Sequence, residues 1–325
     1  MKIAVTGGSG FIGSHIVQKL VSEGHEIKVL VRKTSSIEIL KRLNVKLVIG
    51  DVRDRESVES LVNDVEVVYH NAAKVYSGSS DEFWSVNLQG TENMLQACLD
   101  RNINKFIHIS SVGVMGNIKN PPANESHPYN PTFPYDRSKC EAEKLALRYN
   151  IEHDMPITII RPTAVYGPRH HLFSRFYQAV QKGIFPFIGS MKNLIHLCYI
   201  DNLMQGIMLA ADKREAIGEI YIIGDEKPVT WIEHLKTIAE VLSVNPPSLH
   251  VPPSLMKVII YLSEFKSWMF GGEPLLTQRW LEEITKNFAY DIAKAKKSLG
   301  YNPKISLKEG ISKTVKWYRK NGFLN

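Results

Sequence analysis

Short apolar runs alternate with amphipathic segments over the first half of the chain. A short apolar run is typical of a buried strand, whereas apolar residues at i, i+3, i+4 and i+7 predict a helix. Strands are predicted at residues 2–5, 26–31, 46–49, 65–70, 105–109 and 157–160. The predicted helices are a first one that Gly24 ends and three more at 55–63, 81–101 and 135–153. This alternation is typical of an α/β fold, with a doubly wound parallel sheet and helices on both faces.

The regular alternation ends at Tyr166-Gly167-Pro168. Residues 1–168 are therefore predicted to form one domain, and a further helix and strand within 197–224 indicate that this segment returns to it. The remaining residues, 169–196 and 225–325, are predicted to form a smaller, mostly helical second domain.

Residues 254–270 are rich in large apolar side chains, interrupted by Lys257, Glu264 and Lys266. This composition favours a helix packed in the core. An apolar lid, or a helix that lies on a membrane surface, is the alternative. No apolar run in the sequence reaches the length of a membrane span, so we expect no integral membrane segment.

A glycine-rich turn joins the first strand to the first helix. The sequence Thr6-Gly7-Gly8-Ser9-Gly10-Phe11-Ile12-Gly13 satisfies GxGxxG from Gly8 and GxxGxxG from Gly7. Because glycine lacks a Cβ atom, a pyrophosphate can closely approach the backbone amides at the helix N-terminus. The strand–turn–helix context is a strong indication of a dinucleotide-binding Rossmann domain, and a structural turn without a ligand is the alternative.

Polar or small residues follow the predicted strands of this sheet. Ligands of doubly wound sheets bind beyond the carboxyl ends of the strands. We therefore expect one continuous groove along these ends. Its predicted lining is the glycine turn, Arg32, Asp51, Asn71-Ala72-Ala73, Ser110-Ser111 and Arg161-Pro162.

Arg32 directly follows the second strand, which ends at Val31. At this position an acidic residue binds the ribose hydroxyls of NAD, whereas an arginine accommodates the 2′-phosphate of NADP. NADP is therefore the favoured cofactor and NAD the alternative. An exposed basic loop without this role is the other interpretation of Arg32.

Tyr135 and Lys139 are four residues apart on a predicted helix, so both side chains lie on one face. A free tyrosine has a pKa of about 10, and a nearby ammonium lowers it. Tyr135 is thus a candidate general acid/base beside a carbonyl or carbinol, with Ser111 as a hydrogen-bond partner for the same oxygen. Tyr290 and Lys294 share the spacing, and we interpret them as a chance match on an ordinary helix.

Composition narrows the function classes. The net charge of +7 comes from dispersed lysines without a nucleic-acid motif, so we expect no nucleic-acid partner. The electrostatic field of this positive net charge instead favours an anionic cofactor. Cys98, Cys140 and Cys198 lack metal-ligand spacing, so no metal is predicted, and reduced cytoplasmic thiols are the simplest interpretation. Because a strand is predicted from residue 2, we expect no signal peptide.

Together these residues, with Val165-Tyr166-Gly167-Pro168, resemble the extended short-chain dehydrogenase/reductase family, also called the NAD-dependent epimerase/dehydratase family. The resemblance covers nearly the whole chain. It implies a catalytic triad of Ser111, Tyr135 and Lys139, in which Lys139 also binds the nicotinamide ribose. The implied cofactor contacts, besides Arg32, Tyr135 and Lys139, are Gly7, Gly10, Phe11, Ile12, Gly13, Asp51, Val52, Ala72, Ala73, Asn87 and Pro162.

The C-terminal part distinguishes the branches of this family. Nucleotide-sugar epimerases carry an Arg-Pro-Gly-Asp-like motif before the closing helix, and residues 273–280 lack it, although Arg279 is a candidate substitute. Lys294-Ala295 and Leu299-Gly300-Tyr301 are more similar to the 3β-hydroxysteroid dehydrogenase and dihydroflavonol reductase branches. The resemblance therefore implies an oxidoreductase for an apolar alcohol or ketone.

Two alternatives remain at this point. One is a nucleotide-sugar epimerase or dehydratase on the same scaffold, and the other is a cofactor-binding regulator without catalysis, against which the intact triad argues. By resemblance we also expect a homodimer, formed through helices 81–101 and 135–153. The substrate is predicted to contact residues of 169–190 and 254–280. Apolar candidates there are Phe173, Phe176, Tyr177, Phe185, Phe187, Trp268, Met269 and Phe270.

Overall fold

The computed structural model describes residues 1–76, 79–270 and 277–325. Its strands are Lys2–Thr6 (β1), Glu26–Val31 (β2), Lys46–Ile49 (β3), Val67–His70 (β4), Lys105–Ile109 (β5), Ile157–Pro162 (β6), Ala164–Tyr166 (β7), Phe187–Ile188 (β8), Leu194–Ile195 (β9), Leu197–Tyr199 (β10), Ile220–Ile223 (β11), Val229–Thr230 (β12) and His250–Val251 (β13).

The α-helices are Phe11–Ser22 (α1), Glu38–Lys41 (α2), Arg55–Val62 (α3), Ser80–Phe83 (α4), Gly90–Leu99 (α5), Pro134–His153 (α6), His171–Gln181 (α7), Ile200–Asp212 (α8), Trp231–Leu242 (α9), Pro253–Phe270 (α10), Gln278–Thr285 (α11) and Leu307–Lys320 (α12). Segments Trp84–Gln89 and Ala295–Leu299 are π-helical, and Val112–Met115 and Arg214–Ala216 are 3₁₀ turns.

In the described part of the chain, the central sheet has seven strands in the order β11-β6-β5-β4-β1-β2-β3. All neighbouring strands in it are parallel. The strand order reverses between β1 and β4, so the carboxyl ends of these two strands flank the point where such sheets bind ligands. The predicted doubly wound parallel sheet is confirmed.

Both faces of the sheet are buried. Ile3 and Val5 of β1 belong to one hydrophobic core, with α1 and α8, whereas Ala4 belongs to the other, with α3, α5 and α6. Adjacent residues of a strand point to opposite faces, and parallel strands covered on both sides therefore have continuous apolar sequences. This explains why apolar runs, rather than alternating patterns, marked the strands.

The late strand β11 pairs with β6 at the edge of the central sheet. Residues after the first 168 therefore contribute to this sheet, as expected for the segment 197–224. The short strand β10 pairs instead with β7. The division of the chain into two domains stays a prediction.

The long helical region predicted at 81–101 is continuous in the structure, with a π-helical segment between α4 and α5. Helix α10 is not a packed core helix, and that prediction is wrong: Met256 and Ile260 are buried, while Tyr261 is 65% and Leu262 60% exposed. In the described residues we found no helix with the length and apolar character that a membrane span requires.

A buried ion pair fixes α6 on the sheet. Arg161, at the end of β6, donates from Nη2 to Oε1 of Glu143 on α6 over 2.6 Å, and neither side chain is more than 1% exposed. Glu143 also accepts hydrogen bonds from Ser110 and from the Tyr129 hydroxyl. The charges of both partners are therefore satisfied within the protein, as buried ions require.

Replacing Glu143 with Ala leaves the Arg161 guanidinium buried without its counterion. We expect the free energy of unfolding to fall by about 3–5 kcal/mol, measured by urea titration. Glu141→Ala is the matched control, because Glu141 pairs with Lys144 on the exposed side of the same helix. Its effect should stay within about 0.5 kcal/mol, and equal effects of the two variants would contradict the assignment.

Candidate active site

The glycine turn forms a tight cradle at the N-terminus of α1. Gly7 has a φ of +67°, and a Cβ atom added to Gly13 would lie 2.1 Å from the Gly7 carbonyl oxygen. Gly10 is the N-cap residue of α1 and makes no side-chain hydrogen bond. The first amide groups of α1 therefore remain open to a ligand. This arrangement fits a pyrophosphate, since backbone amides and the positive end of the helix dipole both face it.

The end of β4 is held directly beside this turn. The Thr6 hydroxyl accepts hydrogen bonds from the backbone amides of Asn71 and Ala72, at 3.2 and 3.1 Å. A Cβ atom on Gly7 would lie 2.8 Å from the Ala72 nitrogen. Ala72 is thus adjacent to the cradle, and the cofactor contacts of Ala72 and Ala73 stay predictions.

At the other side of the turn, the end of β3 carries a charged cluster that the sequence did not reveal in full. Arg53 donates from Nε and Nη2 to the Asp51 carboxylate, both over 2.9 Å. This bond, more than any other contact, lowers the pKa of Asp51, and the exposed Arg32 lowers it further. The predicted residue Val52 is buried against Gly90. Arg53 was missed, and its position two residues after the strand-end aspartate was the available signal.

Ser111, Tyr135 and Lys139 come together at the carboxyl ends of β5 and β6. Tyr135 and Lys139 lie one turn apart on α6, and the Lys139 ammonium donates to the Ile109 carbonyl over 2.7 Å. Burial lowers the pKa of Lys139 to about 8. Burial also raises the pKa of Tyr135 to about 12, while Arg279 and the Ser111 hydroxyl act in the opposite direction.

The structure separates the two adjacent serines. Ser110 is buried and bonded to Glu143, whereas Ser111 lines a cavity beside Tyr135. The Ser111 Oγ accepts a hydrogen bond from the Gly113 amide over 3.0 Å, and this bond fixes the direction of the Ser111 hydroxyl group.

The side-chain amide of Asn87 is bonded to other residues of the protein. Its side-chain nitrogen donates to Ser138 Oγ over 2.9 Å and to the Lys74 carbonyl, and its oxygen accepts the Lys74 amide. The amide thus joins α6 to the loop after β4, and the predicted contact between Asn87 and the cofactor stays a prediction. Pro162 ends β6 beside Ile223, and Thr163 and Ala164 lead from it into the cavity.

A cavity of about 140 Å³ lies next to Tyr135, which is not itself among the lining residues, and it contains charged groups. Asp136, Arg279, Glu282 and Glu283 line it, and Glu282 pairs with Lys286 over 2.9 Å. The remaining lining is mostly apolar or small. It comprises Ser111, Val112, Gly113, Gly116, Asn117, Thr132, Phe133, Thr163, Ala164, Ile195, His196, Phe288 and Tyr290.

Arg279 is held by two of these carboxylates. Its Nη2 lies 3.1 Å from Asp136 Oδ1, and its Nε donates to Glu283 over 3.2 Å. Its guanidinium carbon lies 4.9 Å from the centre of the Tyr135 ring. Burial raises the pKa of Asp136 to about 6, and Arg279 opposes this shift.

The interpretation of Tyr290 and Lys294 as an ordinary helix is wrong. Tyr290 forms an isolated bridge with Ala123 and lines the cavity. Lys294 points elsewhere and pairs with Glu219 over 2.6 Å. The two side chains do not form a second tyrosine–lysine pair.

The described apolar residues predicted to contact substrate do not line this cavity. Tyr177 and Phe185 are buried in the core, Phe173, Phe176 and Phe187 pack against it, and Met269 is exposed. The side chains of Trp268 and Phe270 lie outside the described residues. Among the described residues of the two predicted segments, Arg279 lines the cavity, and the predicted substrate contacts stay a prediction.

A model of the NAD-dependent epimerase/dehydratase family matches residues 3–224. The chain belongs to this family. A 3-beta-hydroxysteroid dehydrogenase from Mycolicibacterium neoaurum is 28% identical over 98% of this chain and 91% of that protein. UDP-glucose 4-epimerase from Thermotoga maritima, solved with UDP-glucose, superposes with a TM-score of 0.83, at 26% identity over 99% of both chains.

A third similar protein, dTDP-glucose 4,6-dehydratase from Streptomyces venezuelae, was solved with NAD bound. It has a TM-score of 0.83 and 26% identity, over 100% of this chain and 99% of that one. The epimerase/dehydratase family inferred from the sequence is therefore confirmed, and the chain is an enzyme of the extended short-chain dehydrogenase/reductase type.

Proposed function

We propose that this enzyme transfers a hydride between a nicotinamide cofactor and an apolar alcohol or ketone, of the hydroxysteroid or dihydroflavonol kind. The observation that carries the proposal is the ion-paired state of Arg279. Its guanidinium is bound by Asp136 and Glu283 and is therefore not available to a diphosphate. The relationship to a 3-beta-hydroxysteroid dehydrogenase supports the same choice.

The triad residues supply the proton chemistry in this proposal. When bound, the nicotinamide accepts or gives the hydride. Tyr135 removes the proton from the substrate hydroxyl, or returns it to the carbonyl oxygen. Ser111 donates a hydrogen bond to that oxygen, and its own Oγ is fixed by the Gly113 amide. Lys139, held at the Ile109 carbonyl, places a positive charge beneath the site and favours the phenolate.

The charge of the cavity argues for an uncharged substrate. Its carboxylates are paired: Asp136 and Glu283 bind Arg279, and Glu282 binds Lys286, so a diphosphate there would have to displace a carboxylate from either cation. Arginine is the side chain best suited to bind a diphosphate, because its fork matches two oxygens. Apolar lining with a few polar groups beside Tyr135 suits a ring alcohol instead.

Two further features belong to the proposal. The preferred cofactor is NADP, because the exposed Arg32 follows β2, where the 2′-phosphate is bound in related folds; the nearby Arg53 is bonded to Asp51. We also propose a cytoplasmic homodimer, with α5 and α6 at the interface.

Nucleotide-sugar epimerisation or dehydration remains the second candidate, because the solved relatives include enzymes named for these reactions.

Tyr135→Phe removes the proton-transferring oxygen with little change in volume. We expect turnover to fall by about a hundredfold or more, with cofactor affinity nearly unchanged, measured by steady-state kinetics and cofactor titration. Tyr290→Phe is the matched control, since it removes a phenol from the lining of the cavity, and Lys294, at the matching spacing, pairs with Glu219 instead. Wild-type turnover in Tyr135→Phe would refute the catalytic assignment.

Arg32→Ala tests the cofactor preference. A charge-assisted contact with the 2′-phosphate contributes about 1.5–3 kcal/mol, so we expect wild-type protein to bind NADP roughly tenfold or more tightly than NAD, and the variant to lose this difference. Fluorescence titration with both cofactors measures it. Arg55→Ala serves as the control, because Arg55 pairs with Glu59 and Asp100 outside the predicted phosphate site. Equal wild-type affinities for the two cofactors would exclude the preference.

Calorimetry with the cofactor-loaded protein tests the substrate class. We expect a 3β-hydroxysteroid or a dihydroflavonol to bind and to change the nicotinamide absorbance stoichiometrically, because an oxidoreductase leaves the cofactor changed. UDP-glucose should bind weakly. The epimerase alternative would replace this proposal if UDP-glucose bound tightly, Arg279→Ala abolished that binding, and apolar alcohols and ketones gave no response.

A further inference from the structure

Arg279 reaches from α11 across to the tyrosine of α6. Its guanidinium carbon lies 4.9 Å from the centre of the Tyr135 ring and 6.0 Å from that of Phe133. The side chain is 30% exposed, on the side that faces the cavity. A guanidinium over an aromatic face is attracted by the ring, and this attraction restricts the ring orientation.

Asp136 is the partner of this guanidinium on α6. The carboxyl group is 6% exposed and packs against Gly113, where an added Cβ atom would lie 2.2 Å from Oδ1. The 3.1 Å contact with Arg279 is an ion pair without well-aligned hydrogen-bond geometry, and Oδ1 has no hydrogen-bond partner. Asp136 therefore depends on Arg279 as its counterion, whereas Arg279 is also held by Glu283 of its own helix.

The groups around the Tyr135 phenol divide into two sets. Arg279 from α11 and Ser111 from the end of β5 lower its pKa, whereas burial, Asp136 from α6 and Tyr76 from the loop after β4 raise it. Phe83 of α4 contacts the ring edge and carries no charge. Lys139, the cation expected to act on the phenol, donates to the Ile109 carbonyl. Arg279 is thus the cation placed over the ring itself.

We propose that Arg279 is a positioning residue for the proton transfer, in which it orients the Tyr135 ring and supplies positive charge that stabilises the phenolate. This role rests on the proposed function, in which Tyr135 exchanges the proton with the substrate. Arg279 was the candidate substitute for the missing diphosphate motif. In this proposal it acts on Tyr135 and not on a diphosphate. Asp136 opposes the charge effect while it holds the guanidinium in place.

The two partners of the ion pair therefore have opposite effects on Tyr135. In Arg279→Met the phenol loses the cation, and its titration moves to higher pH. In the isosteric Asp136→Asn it loses the anion while Glu283 still holds the guanidinium, so its titration moves to lower pH. Arg279→Lys keeps the charge and should titrate close to the wild type. A purely structural ion pair would lower stability in both variants without opposite shifts of the phenol.

Protein labelled with [ζ-¹³C]tyrosine allows the titration to be followed by NMR, with the Tyr135 resonance assigned from Tyr135→Phe. We expect shifts of about one pH unit, which correspond to a tenfold change in the phenolate fraction at fixed pH. Circular dichroism checks that each variant is folded. The inference is overturned if both variants shift the resonance in one direction, or if neither shifts it.

This readout requires no substrate and so separates the two proposals. Loss of turnover in Tyr135→Phe together with unshifted titrations would leave the proposed function intact and reject the role of Arg279. Opposite titration shifts together with wild-type turnover in Tyr135→Phe would reject the proposed function, and the positioning role with it. Support for both proposals requires the opposite titration shifts and the loss of turnover in Tyr135→Phe. The pH dependence of hydroxysteroid oxidation should then move to higher pH in Arg279→Met and to lower pH in Asp136→Asn.

Discussion

The buried pair of Glu143 and Arg161 is the interaction on which the position of the site depends. Charges removed from water are tolerated only when their partners are fixed and complete. Here the guanidinium belongs to the end of β6 and the carboxylate to α6, with Ser110 at the end of β5 as a third member. Helix α6 is therefore fixed to two strand ends at once. Because Glu143 lies one turn beyond Lys139, the same constraint places Lys139 and Tyr135 over the edge of the sheet.

The same network orders the loop that closes one side of the cavity. Arg161 donates to the Glu125 carbonyl, and the Glu125 carboxylate accepts the Ile222 amide of β11. Tyr129 adds its hydroxyl to Glu143. The loop between β5 and α6, which has many Pro and Asn residues and no regular element between 117 and 133, is thus tied to the sheet edge by side chains. A long irregular segment in this position needs such contacts, because it has no backbone ladder of its own.

Local sequence patterns were sufficient for the sheet but not for the cavity. The strands could be predicted because burial on both faces leaves uninterrupted apolar runs, and the groove could be predicted because parallel strands end at one edge. Arg279 could not be placed, since its pairing with Asp136 depends on the position of α11 relative to α6, which no local pattern records. Tyr290 was misinterpreted for the same reason: its spacing to Lys294 matched a helix, while tertiary contacts placed it in a bridge with Ala123. The prediction of a packed core helix at 254–270 was wrong for a related reason. Apolar composition alone does not tell which residues of a helix are covered by other elements.

The two ends of the ligand groove differ in their charged groups. The open amides of α1 and the exposed Arg32 lie at the cofactor end, where anions are favoured. At the cavity end, the carboxylates of Asp136, Glu282 and Glu283 pair with Arg279 and Lys286. The net charge of +7 therefore does not describe the surface that a substrate meets. Within the proposed function, the carboxylates that exclude an anionic substrate are also those that hold Arg279 over Tyr135. A diphosphate could recruit this arginine only by removing it from the tyrosine, so the choice of substrate and the ionisation of the phenol are coupled through one side chain.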